Sequence, residues 1–108
     1  MAESSHSQPK AYTIVWAFSV RPQYQGPFEQ AYGHTGDWAQ LFARQVGYQY
    51  TRLYRNLSYT EDGLLHYLCE DVWDTRESYE EFFVNNSQAY LALDERCAAW
   101  TVSERRLV

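Results

Sequence analysis

A chain of 108 residues with a net charge of −5 and one lysine has room for a single domain and a modest core. It lacks the basic stripe that phosphate binding needs, which excludes nucleic-acid partners. No run of 18 apolar residues occurs, which excludes a membrane-spanning helix, and the polar N-terminus has no apolar signal core.

Residues 1–10 (MAESSHSQPK) read as a disordered tail ahead of a folded domain at 11–108. Tyr12 to Val20 is β-rich and forms the first strand, closed by Pro22. Gly26-Pro27 opens a helix carrying Phe28, Ala31 and Tyr32 at helical spacing. The GHTG run at 33–36 interrupts it. Asp37 caps a restart with Trp38, Leu41 and Phe42 as its apolar stripe, and Gly47 ends that helix as a left-handed cap. Tyr48 to Leu57 is the second strand, Asp62-Gly63 is a hairpin signal, and Leu64 to Trp73 is the third strand. Asp74 or Thr75 caps the next helix, whose face is Tyr79, Phe82 and Phe83. Asn85-Asn86-Ser87 breaks it, and Tyr90, Leu93, Cys97 and Trp100 recur at helical spacing beyond. Thr101 to Val108 is a short last strand. The order β-α-β-β-α-β is the α+β, ferredoxin-like arrangement: an antiparallel sheet with helices on one face.

Ten Tyr, five Phe and four Trp are unusual in so short a chain. Such residues collect in pockets and interfaces. A two-residue loop at Asp62-Gly63 pairs residues whose numbers sum to 125, and a four-residue loop at 60–63 gives 123. Either odd sum places Tyr50, Arg52, Tyr54 and Asn56 on one face with Tyr67, Cys69, Asp71 and Trp73. Leu53, Leu68 and Val72 then suit the face under the helices. The aromatic face is left uncovered, which marks an interface or a binding groove. On it Arg52 and Asp71 form a charge pair, so the Asp71 pKa is expected to fall.

Several stretches resemble the antibiotic-biosynthesis-monooxygenase domain: FSVRP, GDWAQLFARQVGY, EDVWDTRESY and YLALDERC, together covering most of residues 12–105. The resemblance implies a dimeric α+β barrel, a homodimer with its open sheet faces together and the ligand in the barrel. It also implies cofactor-independent oxygenation of an aromatic, quinol or polyketide-type small molecule. Members that oxygenate aromatic polyketides carry Asn-x3-Trp-x5-Tyr. Trp73 and Tyr79 match its last two positions, while Cys69 replaces the Asn and Leu93 falls near a later Arg. Haem-degrading relatives need a His where Phe82 or Phe83 stands, so haem degradation is disfavoured. In this reading Tyr50, Tyr54, Tyr67, Cys69 and Trp73 line the substrate site. Arg52 stabilises an oxyanion, Asp71 orients it, and Tyr79 hydrogen-bonds the substrate oxygen. A cyclase or isomerase on the same fold, or a non-catalytic dimeric ligand-binding accessory protein, stays open.

His6, His34 and His66 are scattered, so no metal site is expected. His34 is a candidate base at the pocket mouth. Cys69 and Cys97 fall inside regular elements and read as free thiols of a cytoplasmic protein.

Overall fold

The computed structural model describes residues 11–108, so the expected tail at 1–10 lies outside the described residues. The chain forms β1 (Tyr12–Val20), α1 (Gln25–Tyr32), α2 (Asp37–Phe42), β2 (Tyr48–Arg55), β3 (Leu65–Trp73), α3 (Arg76–Cys97) and β4 (Thr101–Arg106). Single 3₁₀ turns at Pro22–Tyr24 and Ala98–Trp100 lead into α1 and β4. The antiparallel sheet has the order β2-β3-β1-β4. That is the ferredoxin-like α+β fold expected from the order of elements. Among the described residues no helix is long and apolar enough to cross a membrane.

Local chemistry explains most boundaries. Thr75, rather than Asp74, caps α3, its hydroxyl accepting from Ser78 N at 3.1 Å. The expected break at 85–87 is a kink inside a continuous α3. Asn86 leaves helical geometry there, and its Nδ2 donates to Phe82 O at 3.1 Å. Asp37 does not cap α2. The cap position belongs to Gly36, and Asp37 forms an ion pair with Arg96 of α3. Nor does Gly47 end α2, which stops at Phe42. Gly47 has φ +105 in the turn that starts β2, where a Cβ would sit 2.2 Å from Ser78 Oγ.

The core lies between one sheet face and the helices. Ile14, Phe18 and Val20 of β1 alternate towards it, and Phe28 stacks on Tyr32 at 4.3 Å. Trp73 meets Phe42 of α2 at 5.5 Å and Phe82 of α3 at 5.7 Å.

The β2–β3 register differs from the odd-sum expectation. The connection runs from Asn56 to Leu64, longer than either loop assumed. Asp62 Oδ1 accepts from Leu64 N at 2.9 Å, a turn local to the loop, while Asn56 N donates to His66 O at 2.9 Å. The pairs are Thr51↔Asp71, Arg52↔Glu70 and Leu53↔Cys69, an even sum. A one-residue change of register moves a whole strand to the other face. Thr51 and Leu53 therefore share a face with Tyr67, Cys69, Asp71 and Trp73, and that face lies under the helices. Tyr50, Arg52 and Tyr54 lie on the uncovered face with Leu68, Glu70 and Val72. An irregularity between Tyr48 and Tyr50 returns Tyr48 to the helix side, its ring 5.3 Å from Trp73.

Candidate active site

Because β3 turns its odd residues inward, Cys69 and Asp71 form the floor of a cleft between sheet and helices. Trp16 and Phe18 of β1 continue the floor, and Glu104 of β4 closes one side. The roof comes from the helices: Tyr32 of α1, Trp38 and Phe42 of α2, and Tyr90 and Asp94 of α3. The cleft offers about 50 Å³ of room to water-sized groups and opens to solvent on one side.

Asp71 is the deepest polar group in it. The residue is 7% exposed, and Thr51 Oγ1 donates to its Oδ1 at 2.7 Å. The Thr51 hydroxyl in turn lies 2.7 Å from the Tyr48 hydroxyl, so a hydrogen-bonded row runs from half-buried Tyr48 to the cleft floor. Burial pushes the Asp71 carboxyl up to about 6, against the opposing Thr51 hydrogen bond. This reverses the expected fall, which required Arg52 beside it. Burial likewise raises Tyr48 to about 12 and pushes the Cys69 thiol far up, with Asp71 adding to the latter, so Cys69 is a poor nucleophile at neutral pH. The Trp38 indole Nε1 is buried without a hydrogen-bond partner; the Tyr32 hydroxyl is close, but no acceptor reaches bonding geometry.

Of the residues singled out from sequence, Asp71 and Cys69 line this cleft. Arg52 does not. It is exposed on the uncovered face opposite Glu70, its guanidinium 4.6 Å from the Tyr50 ring centre. The expected Arg52–Asp71 pair is absent, because adjacent strand positions point to opposite faces. Tyr50 and Tyr54 are exposed beside Arg52. Tyr67 is buried under α1 and its hydroxyl donates to Glu29 Oε2 at 2.6 Å. Trp73 is fully buried among Phe42, Tyr48, Tyr79 and Phe82, next to the cleft rather than in its lining. Tyr79 is half-buried against Trp73, with the Arg106 guanidinium 5.8 Å from its ring centre. His34 is exposed in the α1–α2 connection, away from the cleft. Both cysteines are free and buried.

The sequence reading missed Trp16, Trp38, Tyr90, Asp94, Glu104 and the Tyr48–Thr51 row. Alternation along β1 could have placed Trp16 beside Phe18, and helical spacing could have set Tyr90 and Asp94 on one face of α3. Nothing local to Glu104 signals that β4 brings it to Asp94.

Ser19, His66 and Asp62 form a second hydrogen-bonded row on the uncovered face, at 3.2 and 2.8 Å. β1 is central in the sheet, and its amides are taken up by the ladders on either side. The row therefore has no main-chain oxyanion donor beside it and reads as a cross-strand polar cluster.

No protein-family model matches the chain, and no curated protein sequence does. Solved structures do match its fold. One is a provisionally assigned antibiotic biosynthesis monooxygenase from Nitrosomonas europaea, 17% identical, covering 93% of this chain and 88% of its own, with a TM-score of 0.64. Another is a variant of SnoaB, a cofactor-independent oxygenase from Streptomyces nogalater, 18% identical over 91% of each chain, with a TM-score of 0.58. The chain thus has the fold of the antibiotic-biosynthesis-monooxygenase proteins that its sequence stretches resemble.

Proposed function

We propose that this chain is a cofactor-independent oxygenase acting on an electron-rich aromatic compound of the quinol or polyketide type, bound in the cleft between sheet and helices. The observation that carries the reading is Asp71: a buried carboxylate, paired with no cation among the described residues, on the floor of an aromatic cleft. Its raised pKa makes it a base matched to neutral pH, where an ordinary Asp is too weak. Asp71 takes a proton from a phenol or from the activated CH₂ of an anthrone. The resulting anion passes one electron to O₂, and the radical pair joins through a new C–O bond. The peroxide then loses water to leave a carbonyl. Overall, CH₂ and O₂ give C=O and H₂O, with no external reductant. Thr51 holds Asp71 Oδ1, which leaves the other oxygen for the substrate. The row through Thr51 and Tyr48 offers the proton a way to solvent. Trp73 and Tyr79 sit behind Tyr48 and hold that wall rather than touch the substrate. Fold likeness to an oxygenase supports the reaction class, and the substrate's identity goes beyond that likeness.

In this reading the chain works as a homodimer. Tyr50, Tyr54 and Leu68 on the uncovered sheet face are exposed, and an exposed apolar patch is the usual mark of an interface.

The test is oxygen uptake with a hydroxylated anthrone. One O₂ consumed per carbonyl formed supports the reading. Product without uptake transfers the same base to a cyclase or isomerase. Tight binding without product makes the chain a binding protein.

A further inference from the structure

We infer that the cleft is built for a cationic ligand: an aromatic compound with an alkylated ammonium nitrogen. The inference rests on the cleft being the ligand site, as proposed above, and goes further by assigning the ligand's charge.

Three carboxylates from three separate elements line the cleft: Asp71 of β3, Asp94 of α3 and Glu104 of β4. Among the described residues its lining contains no Lys, Arg or His. Among the described residues, the side chains of Asp94 and Glu104 make no hydrogen bond or ion pair, and the second oxygen of Asp71 accepts none. Arg106 is the basic residue next but one to Glu104, on the same side of β4. It is committed elsewhere, with Nη2 on the Tyr12 hydroxyl at 3.0 Å and Nε on Val108 O at 2.8 Å. Burial and the neighbouring Asp94 both push the Glu104 carboxyl up, as expected of like charges facing each other without a counter-ion. Between the carboxylates stand Trp16, Trp38 and Tyr90, with Trp38 and Tyr90 edge to face at 5.2 Å. Aromatic faces carry negative potential, so the rings and the carboxylates favour the same sign of ligand. A cation gains from both, and an anion is opposed by both.

Trp38 lines the cleft with its ring, while its indole N–H has no accessible surface and lies beside the Tyr32 hydroxyl and the Cys97 thiol rather than open to a ligand. Asp94 is half-buried and Glu104 exposed, which places both at the mouth, whereas Asp71 lies on the floor. The ammonium nitrogen therefore belongs at the mouth and the aromatic body against the Trp16, Trp38 and Tyr90 rings. Asp71 remains free for the reacting end.

Titration calorimetry with three matched probes tests this: naphthylmethyl-trimethylammonium, the neutral naphthylmethanol, and naphthylacetate. The cation is expected to bind about tenfold or more tighter than the alcohol, with naphthylacetate weakest. The double substitution Asp94→Asn and Glu104→Gln should remove the preference for the cation while leaving the alcohol's affinity. Circular dichroism and a thermal melt of the double variant establish that it folds, and added salt should weaken the cation's binding in wild type alone. Equal binding of cation and alcohol, tighter binding of naphthylacetate, no binding of any probe, or a preference that survives the double substitution would each overturn the inference. Binding is read without turnover, so absence of oxygen uptake leaves this result standing. Uptake with a neutral phenol, in a protein that shows no preference for the cation, would sink this inference and leave the oxygenase reading intact.

Discussion

Asp71 is a carboxylate that the fold makes harder to ionise, and this has a consequence for stability. Its folded value of about 6 lies above the ordinary 3.8, so the native state holds the proton more tightly than the unfolded chain. The stabilisation is complete below about pH 4 and is lost as pH rises through 6. At about 1.4 kcal/mol per pH unit, wild type above pH 7 carries a penalty approaching 3 kcal/mol. Asp71→Asn keeps an acceptor for Thr51 and removes the charge. In urea titrations it should be more stable than wild type by about that amount at pH 7.5 and no more stable near pH 4. A difference that does not change with pH would show that Asp71 is not desolvated in the native state. Trp73 makes the opposite case. On an uncovered face its truncation would cost little. Enclosed by Phe42, Tyr48, Tyr79 and Phe82, Trp73→Ala should cost about 3–5 kcal/mol and leave a marginal fold at room temperature. A melt within a few degrees of wild type would contradict its place in the core.

At the scale of elements, the strands and helices were legible because their signals are local. β1 begins and ends where its β-rich run does, and the stripes Phe28, Ala31, Tyr32 and Trp38, Leu41, Phe42 are buried as their spacing implies. Pairing between strands was less legible. The Asp62-Gly63 signal does mark a turn, with Gly63 at φ +72, but the turn closes on Leu64 within the loop rather than on the strands. The register was then set by the Asn56–His66 bond and by the need to bury Cys69 and Trp73. The grouping of Tyr67, Cys69, Asp71 and Trp73 on one face was read correctly. Its assignment to the uncovered side followed from the assumed register, which grouped Leu53 with Leu68 and Val72 and gave those apolar residues the helix side. The two positive-φ glycines can be separated by experiment. An alanine at Gly63 meets open space, whereas at Gly47 its Cβ would collide with Ser78 at the start of α3. Gly63→Ala should cost about 1 kcal/mol and Gly47→Ala distinctly more, read as denaturant midpoints. The reverse order would mean that the β2 turn does not pack on α3.

For the whole molecule, the α+β architecture followed from the order of elements, but the cleft did not, because three strands and three helices far apart in sequence each contribute one or two side chains to it. Trp16, Trp38, Tyr90 and Glu104 are neighbours only after folding. The same architecture leaves one sheet face without helices, and a second copy is the proposed cover. Light scattering should give about twice the 12.8 kDa chain mass at micromolar concentration. Arg52→Glu would place a second acid opposite Glu70 on that face and should shift the protein towards monomer. A wild type that remains monomeric, folded and dispersed would refute the dimer.

In the proposed function the chemistry takes place on the helix side of the sheet, at Asp71, and not on the uncovered side, at Arg52. The most direct measurement is the oxygen-uptake rate of Asp71→Asn and Arg52→Met beside wild type, each with the same hydroxylated anthrone. Loss of a general base predicts a fall of about 10²-fold or more in kcat for Asp71→Asn. Arg52→Met should turn over at close to the wild-type rate under conditions where its oligomeric state is unchanged. A collapse of turnover in Arg52→Met with Asp71→Asn unaffected would place the reaction on the other face and contradict the account.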